Sequence, residues 1–237
     1  MGLTKEPLIF LNDLKLVGSK LEPDYLIFAS RHTSKTARPA FLVHTTGNWG
    51  KQADFGGNPQ DLSKTSALLH KAGFISLSEE TLPPLLKEFS RDIEVTHHGP
   101  TILDIPLIFM ELGSSRVEWK IHEAGVILAN AILNTIQKFD EYRKKKSQKI
   151  CLGFGGTHYA PNFQRLITTK DIAISFICPK YHLQSLEKAI IWKMIENTSE
   201  KVDYFLIDWK GTNSADKGHL IPLLEDFNIP IEKTKDI

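Results

Sequence analysis

The sequence predicts a three-layer α/β fold, a mostly parallel or mixed central sheet with helices on both faces, built as one domain over residues 1–237. Three observations predict it. Short runs rich in β-branched and aromatic residues alternate with longer segments of helical periodicity, the pattern of a sheet covered by helices. No internal repeat, low-complexity stretch or linker divides the chain. A length of 237 residues with 41% hydrophobic content suits one large core.

The strand-like runs are residues 25–29, 40–44, 93–96, 106–112, 149–154, 171–178 and 202–209. Residues 61–71 read as a helix stopped by Gly73. Residues 79–91 read as a second, with Ser76 and Glu79 spaced as a capping box and Pro83-Pro84 near the first turn. The longest helix is expected over 117–146, where Ser115 and Glu118 form another capping box and Ala124, Leu128, Ala131 and Ile132 supply an apolar stripe. Two further helices are expected over about 183–197 and 215–227.

Bulk composition narrows the function classes. A net charge of +1 gives no global basic field, so a nucleic-acid partner needs a local patch. The basic run at 143–146, extended by Lys149, reads either as a solvated helix end or as an RNA-backbone contact. Cys151 and Cys178 sit in apolar runs and read as buried thiols, which favours a reducing compartment. No stretch reaches the ~18 apolar residues of a membrane helix, and the N-terminus lacks the plan of a signal peptide. The expectation is a cytoplasmic monomer with no membrane partner.

In folds of this class ligands bind beyond the carboxyl ends of the strands. His32, His44, His97, His98 and His158 all fall there, each beside Gly, Ser or Thr, and together argue for one polar cleft. Alone, His32 or His44 reads more readily as structural, whereas the adjacent His97-His98 pair and His158 read as functional. Adjacent strand residues face opposite ways, so His97 and His98 converge only if the strand ends between them, and Gly99-Pro100 supplies the break. Glu111 closes a strongly apolar strand, where a lone carboxylate is costly; a metal, a histidine or an arginine would explain it. Gly113-Ser114-Ser115, before the long helix, reads as an anion site or as plain capping. The glycines of 153–156 lack both the Walker lysine and the dinucleotide spacing, so no nucleotide cofactor is expected.

Five strings, HTTGNWG (44–50), THHGPT (96–101), ELGSS (111–115), GFGGTHYAP (153–161) and DWKG (208–211), resemble in content and order the signature segments of the archaeal and plant type of D-aminoacyl-tRNA deacylase. The resemblance covers the chain from about Phe28 onward. It implies hydrolysis of the ester between a D-amino acid and the tRNA 3′ end, with broad side-chain tolerance and zinc dependence. It also implies a fold like that of phosphorylases and peptidyl-tRNA hydrolases. Members of the family carry a strand and helix ahead of the segment matching 25–31. Here about two dozen residues precede it, so a sheet strand is expected to be missing or replaced by 8–11.

Ester hydrolysis needs an activated water, oxyanion stabilisation and a proton for the leaving hydroxyl. The candidate catalytic residues and Zn²⁺ ligands are His97, His98, Glu111 and His158. No HExxH-type motif is present, so zinc rests on the resemblance and on ligand types. A metal-free version would use His97 or His98 as base. Candidate substrate-binding residues are Arg31, His44, Asn48, Trp49, Thr96, Ser114, Ser115, Tyr159 and Lys210. Among them, Trp49 or Tyr159 would stack on the terminal adenine of the tRNA. The rival readings are another metal-assisted hydrolase, such as an aminopeptidase or amidohydrolase, and a non-catalytic RNA-binding module.

Overall fold

The computed structural model describes residues 2–14 and 22–237. Its strands are β1 (Leu26–Arg31), β2 (Ala40–His44), β3 (Gly47–Asn48), β4 (Asp61–Leu62), β5 (Ser90–Ile93), β6 (Leu107–Gly113), β7 (Lys149–Phe154), β8 (Ile172–Cys178), β9 (Tyr204–Ile207) and β10 (Ile231–Lys233). The α-helices are α1 (Ala67–Glu79), α2 (His122–Lys145), α3 (Pro161–Thr169), α4 (Lys188–Glu196) and α5 (Ser214–Glu225). One sheet has the order β1-β6-β2-β5, the other β10-β9-β7-β8. The second is all parallel; in the first, β2 runs antiparallel to β6. The sheet is therefore mixed, as the alternating pattern allows.

The two sheets meet edge to edge just beyond β5. The Thr96 amide donates to the Ile177 carbonyl, and the Ile177 amide donates back to Thr96 Oγ1, each at 3.0 Å. This junction places the carboxyl ends of strands from both sheets around one hollow.

Strand alternation sorts the core. Ile108, Met110 and Leu112 of β6 join Val43, Leu69 of α1 and Leu128 of α2. Leu107 and Phe109 face the other way, onto Phe28, Leu11 and Leu103. Glu111 shares that second face and closes it with a charge. In the parallel sheet, Leu152, Phe154, Phe176 and Phe205 pack on Ile191 of α4 and Leu220 and Leu224 of α5. Both cysteines are buried and free; burial pushes the Cys151 thiol up to about 12. No helix among the described residues is long and apolar enough to cross a membrane.

The differences from the sequence expectation have local causes. The first helix spans 67–79 rather than 61–71 and runs through Gly73. A Cβ there would meet Ile108 Cδ1 at 3.0 Å, so this glycine lets α1 approach the sheet rather than ending it. Ser76 is buried inside α1, and the expected 79–91 helix shrinks to a 3₁₀ turn at Pro84–Leu86 before β5. The long helix begins at His122, after a 3₁₀ turn at Glu118–Lys120. A 3₁₀ turn also takes the start of the 183–197 segment. Nothing in the sequence reading anticipated α3 or β10. Leu8–Phe10 forms a 3₁₀ turn, not a substitute strand, with Leu8 and Leu11 lying over the Phe28–Phe109 face.

The start of α1 is tied to a distant loop. Ser66 Oγ accepts from the Leu69 amide at 3.0 Å, while the Glu200 carboxylate accepts from Ser66 Oγ and from the amides of Ala67 (2.9 Å) and Leu68 (3.3 Å). Glu200 thus satisfies helix-start amides and complements the helix dipole. Glu200→Ala is expected to lower the free energy of unfolding by about 1–2 kcal/mol. Urea unfolding checks this, and an unchanged midpoint would refute it.

Candidate active site

A cavity of about 1060 Å³ opens at the sheet junction. Arg31, Asn48, Trp49, Thr96, His97, His98, Glu111 and His158 line it, together with His32. His44 lies fully buried beneath, its ring 4.3 Å from that of His97 and 4.8 Å from that of His98. Ser114, Ser115, Tyr159 and Lys210 do not reach the cavity wall.

His97 and His98 converge, but the strand ends before both of them and not between them as the sequence suggested. Strand pairing stops at Ile93, and His98 turns back through left-handed backbone at φ 41°. The ring centroids come to 4.5 Å. His158 is delivered by the glycine loop after β7. Gly155 and Gly156 have φ of +100° and +80°, and a Cβ on Gly155 would strike Thr212 Oγ1 at 2.2 Å. Those glycines let the loop pass close under the turn that carries Asp208 and Lys210.

Three imidazoles are preset by their backbone. Nδ1 of His44, His97 and His98 donates to the carbonyls of Thr45 (3.1 Å), Val95 (2.8 Å) and Gly99 (2.7 Å). A carbonyl only accepts, so in the neutral rings of His97 and His98 Nε2 keeps its lone pair. Two carboxylates face them. Glu94 Oε1 lies 2.9 Å from His158 Nε2, and Oε2 lies 3.7 Å from His32 Nδ1 and 3.9 Å from His97 Nε2. Glu111 Oε2 accepts from His32 Nδ1 at 3.2 Å and lies 3.8 Å from His44 Nε2.

Burial and these neighbours set the protonation states. Burial, reinforced by the adjoining histidines, holds His97 well below the usual imidazole range and takes His98 down to about 4. Burial also acts against charge on His44 and Glu111. Their mutual attraction, with the His32 contact to Glu111, outweighs it, raising His44 and holding Glu111 well below the usual carboxylate range.

The donor set fits a metal cation. Glu94 Oε2, His32 Nε2 and His44 Nε2 are buried without a hydrogen-bond partner. Unpaired buried groups of this kind are costly. Among the described residues, three overlapping trios bring ligand atoms within 4.8 Å: His44, His97 and His98; Glu94, His97 and His158; and His32, Glu94 and Glu111.

Glu94 is the main residue that sequence reasoning missed. Its signal was available, since a carboxylate between Ile93 and Val95 poses the same cost that singled out Glu111. The aromatic residues also exchange places. Trp49 is only 3% exposed and donates Nε1 to the Thr96 carbonyl at 2.7 Å, while Tyr159 is covered by the Arg38 guanidinium. The open aromatic rings at the cavity are Phe55, 67% exposed, and Tyr181, 56% exposed. At Ser114-Ser115 the turn's amides and the Ser115 hydroxyl face the chain's own Glu118 carboxylate, and Ser114 Oγ donates to the Arg38 carbonyl at 2.7 Å.

Comparison with known proteins gives the chain's family. Residues 19–232 match the family model described as D-aminoacyl-tRNA deacylase. A protein of that name from Thermococcus onnurineus is 38% identical over 88% of this chain and 73% of its own. Another from Methanocaldococcus jannaschii is 37% identical over 93% and 86%. One from Archaeoglobus fulgidus is 34% identical over 99% and 81%. A crystal structure described as a conserved protein of unknown function superposes with a TM-score of 0.85 at 33% identity, covering 99% of this chain and 80% of that one. By its family match, its relatives and its fold, the chain belongs to the D-aminoacyl-tRNA deacylase family.

Proposed function

We propose that the chain hydrolyses the ester between a D-amino acid and the 3′ end of tRNA, releasing free amino acid and tRNA, with zinc as its metal. The observation that carries the reading is the set of imidazole nitrogens gathered around two buried carboxylates, Glu111 lining the open cavity and Glu94 lying just behind its wall against His158. The family name supplies the substrate class. Mixed imidazole and carboxylate donors suit zinc better than magnesium or calcium, which prefer oxygen alone.

His97 and His98, through Nε2, with Glu94 and Glu111 beside them, are the residues that would hold the ion. Bound zinc supplies water acidified to near neutrality and polarisation of the ester carbonyl. His44 and His32 hold Glu111 ionised and oriented. His158 reaches the cavity mouth with Nε2 held by Glu94; its Nδ1, 3.4 Å from Tyr181 Oη, would take a proton from the attacking water and pass it to the departing ribose oxygen. The open rings of Phe55 and Tyr181, rather than Trp49 or Tyr159, are positioned to stack on the terminal adenine. The cavity volume accommodates side chains of different size.

The deciding experiment incubates the protein with D- and L-tyrosyl-tRNA, with and without chelator and zinc add-back. Release from the D-ester alone, lost on chelation and restored by zinc, is expected; equal or absent release from the D-form sinks the reading. His98→Ala and His158→Ala are each expected to reduce turnover by about a hundredfold or more with little change in melting temperature. Near-normal rates in both variants would dismiss this cavity as the site. Glu94→Gln keeps the shape but removes a ligand charge. Its metal content after dialysis against buffered zinc should fall, with affinity reduced by about tenfold or more. Full occupancy at wild-type affinity would exclude Glu94 from the metal shell.

A further inference from the structure

Beside the main cavity lies a second hollow of about 570 Å³, lined by Arg31, Thr33, Arg116, Trp119 and Lys120. Arg31 and Thr33 line both, so the two hollows are continuous along the end of β1. Three of the five lining residues are cations and none is an acid. None of the three cations forms an ion pair among the described residues. The one acid in that stretch of chain, Glu118, is buried and turned to the Ser114 and Ser115 amides instead.

The hollow is also braced. Trp119 donates Nε1 to the His32 carbonyl at 2.9 Å, and the Arg31 guanidinium lies 5.1 Å over the Trp119 ring. Trp119 is therefore a shelf that fixes Arg31 between the hollows, with that ring face taken by the guanidinium. In a chain of net charge +1, three unpaired cations next to the proposed ester site, one of them held in place by Trp119, call for an anion on the substrate.

From this geometry we infer that the hollow binds phosphodiesters of the RNA strand just upstream of the esterified 3′ nucleotide. The inference rests on the main cavity taking an aminoacylated 3′ end. The other basic feature, Lys144 and Lys145 at the end of α2, lies at the amino end of β7, across the sheet from His158, and takes no part in this binding.

The test compares wild type, Arg116→Gln/Lys120→Gln and the control Lys144→Gln/Lys145→Gln. The probes are D-tyrosyl-tRNA, D-tyrosyl-adenosine, which has no phosphate, and fluorescein-labelled uncharged tRNA followed by anisotropy. Arg116→Gln/Lys120→Gln should raise KM for D-tyrosyl-tRNA about tenfold or more at unchanged kcat. It should hydrolyse D-tyrosyl-adenosine like wild type and flatten the log–log salt dependence of tRNA binding by about 1.4 for two lost contacts on single-stranded RNA. The control should match wild type throughout. The inference is overturned if the double variant binds and cleaves D-tyrosyl-tRNA normally, if it loses the adenosine ester equally, or if the control is equally impaired. If wild type cleaves neither ester but Arg116→Gln/Lys120→Gln still weakens tRNA binding, the hydrolase reading fails while the hollow's role stands. If wild type cleaves D-tyrosyl-tRNA and the double variant is unaffected, the reverse holds.

Discussion

Every polar atom of Thr96 is engaged in joining the two halves of the molecule. Its amide donates to Ile177, its hydroxyl accepts from Ile177 and bonds Thr45 Oγ1 at 2.7 Å, and its carbonyl accepts from Trp49. Two sheets joined through Thr96, with the Val95 amide bonded to the His158 carbonyl beside it, cannot slide past each other without leaving buried groups unpaired. Its chain neighbours Glu94, His97 and His98 are the residues whose positions matter most in the cavity. The bond that makes the fold continuous therefore also sets the geometry of the site. Thr96 and Trp49 line the cavity, yet their polar atoms are already committed, which gives them a framing role rather than a part in binding.

A second constraint follows from burying two carboxylates. Glu94 and Glu111 lie within a few ångströms of His32 and have no lysine or arginine partner among the described residues. Protein interiors tolerate such charge only when it is paired. Histidine compensates in part: His44 is drawn toward its charged form while His97 and His98 stay neutral. The neutral pair is the useful one, because only an unprotonated Nε2 can coordinate. The same burial that would make these side chains a liability in a packed core keeps them ready as ligands.

The fold class was legible because alternation of strand and helix periods survives in most segments. What failed was the interpretation of individual residues. Gly73 and Pro83-Pro84 carry the same local signals whether they end a helix, permit close packing or form a 3₁₀ turn, and only tertiary contact decides. α3 was hidden because nine residues with Phe163, Leu166 and Ile167 inward make too short a period to stand out after the glycine loop. At the site, clustering at strand ends brought His97, His98 and His158 together correctly, since that inference depends on topology. Roles that depend on side-chain partners, such as an open face for Trp49 or a free anion site at Ser114, were beyond its reach. In the structure their hydrogen-bonding groups are already met by Thr96, Glu118 and Arg38.

Glu118 shows how a nearly neutral chain can still present a cationic surface. Had its carboxylate pointed outward, it would stand beside Arg116 and Lys120 and cancel part of their field. Buried and drawn toward the Ser114-Ser115 turn, it leaves the hollow's wall without an acid. Field strength near a surface depends on where charges sit within about a Debye length, roughly 8–10 Å, and not on their sum over the chain. A +1 protein can therefore concentrate three cations next to the carboxylate-lined cavity. The arrangement would attract a polyanionic strand at one point and leave the rest of the surface indifferent to it. That division matches a substrate whose reacting ester is uncharged and whose handle is phosphate.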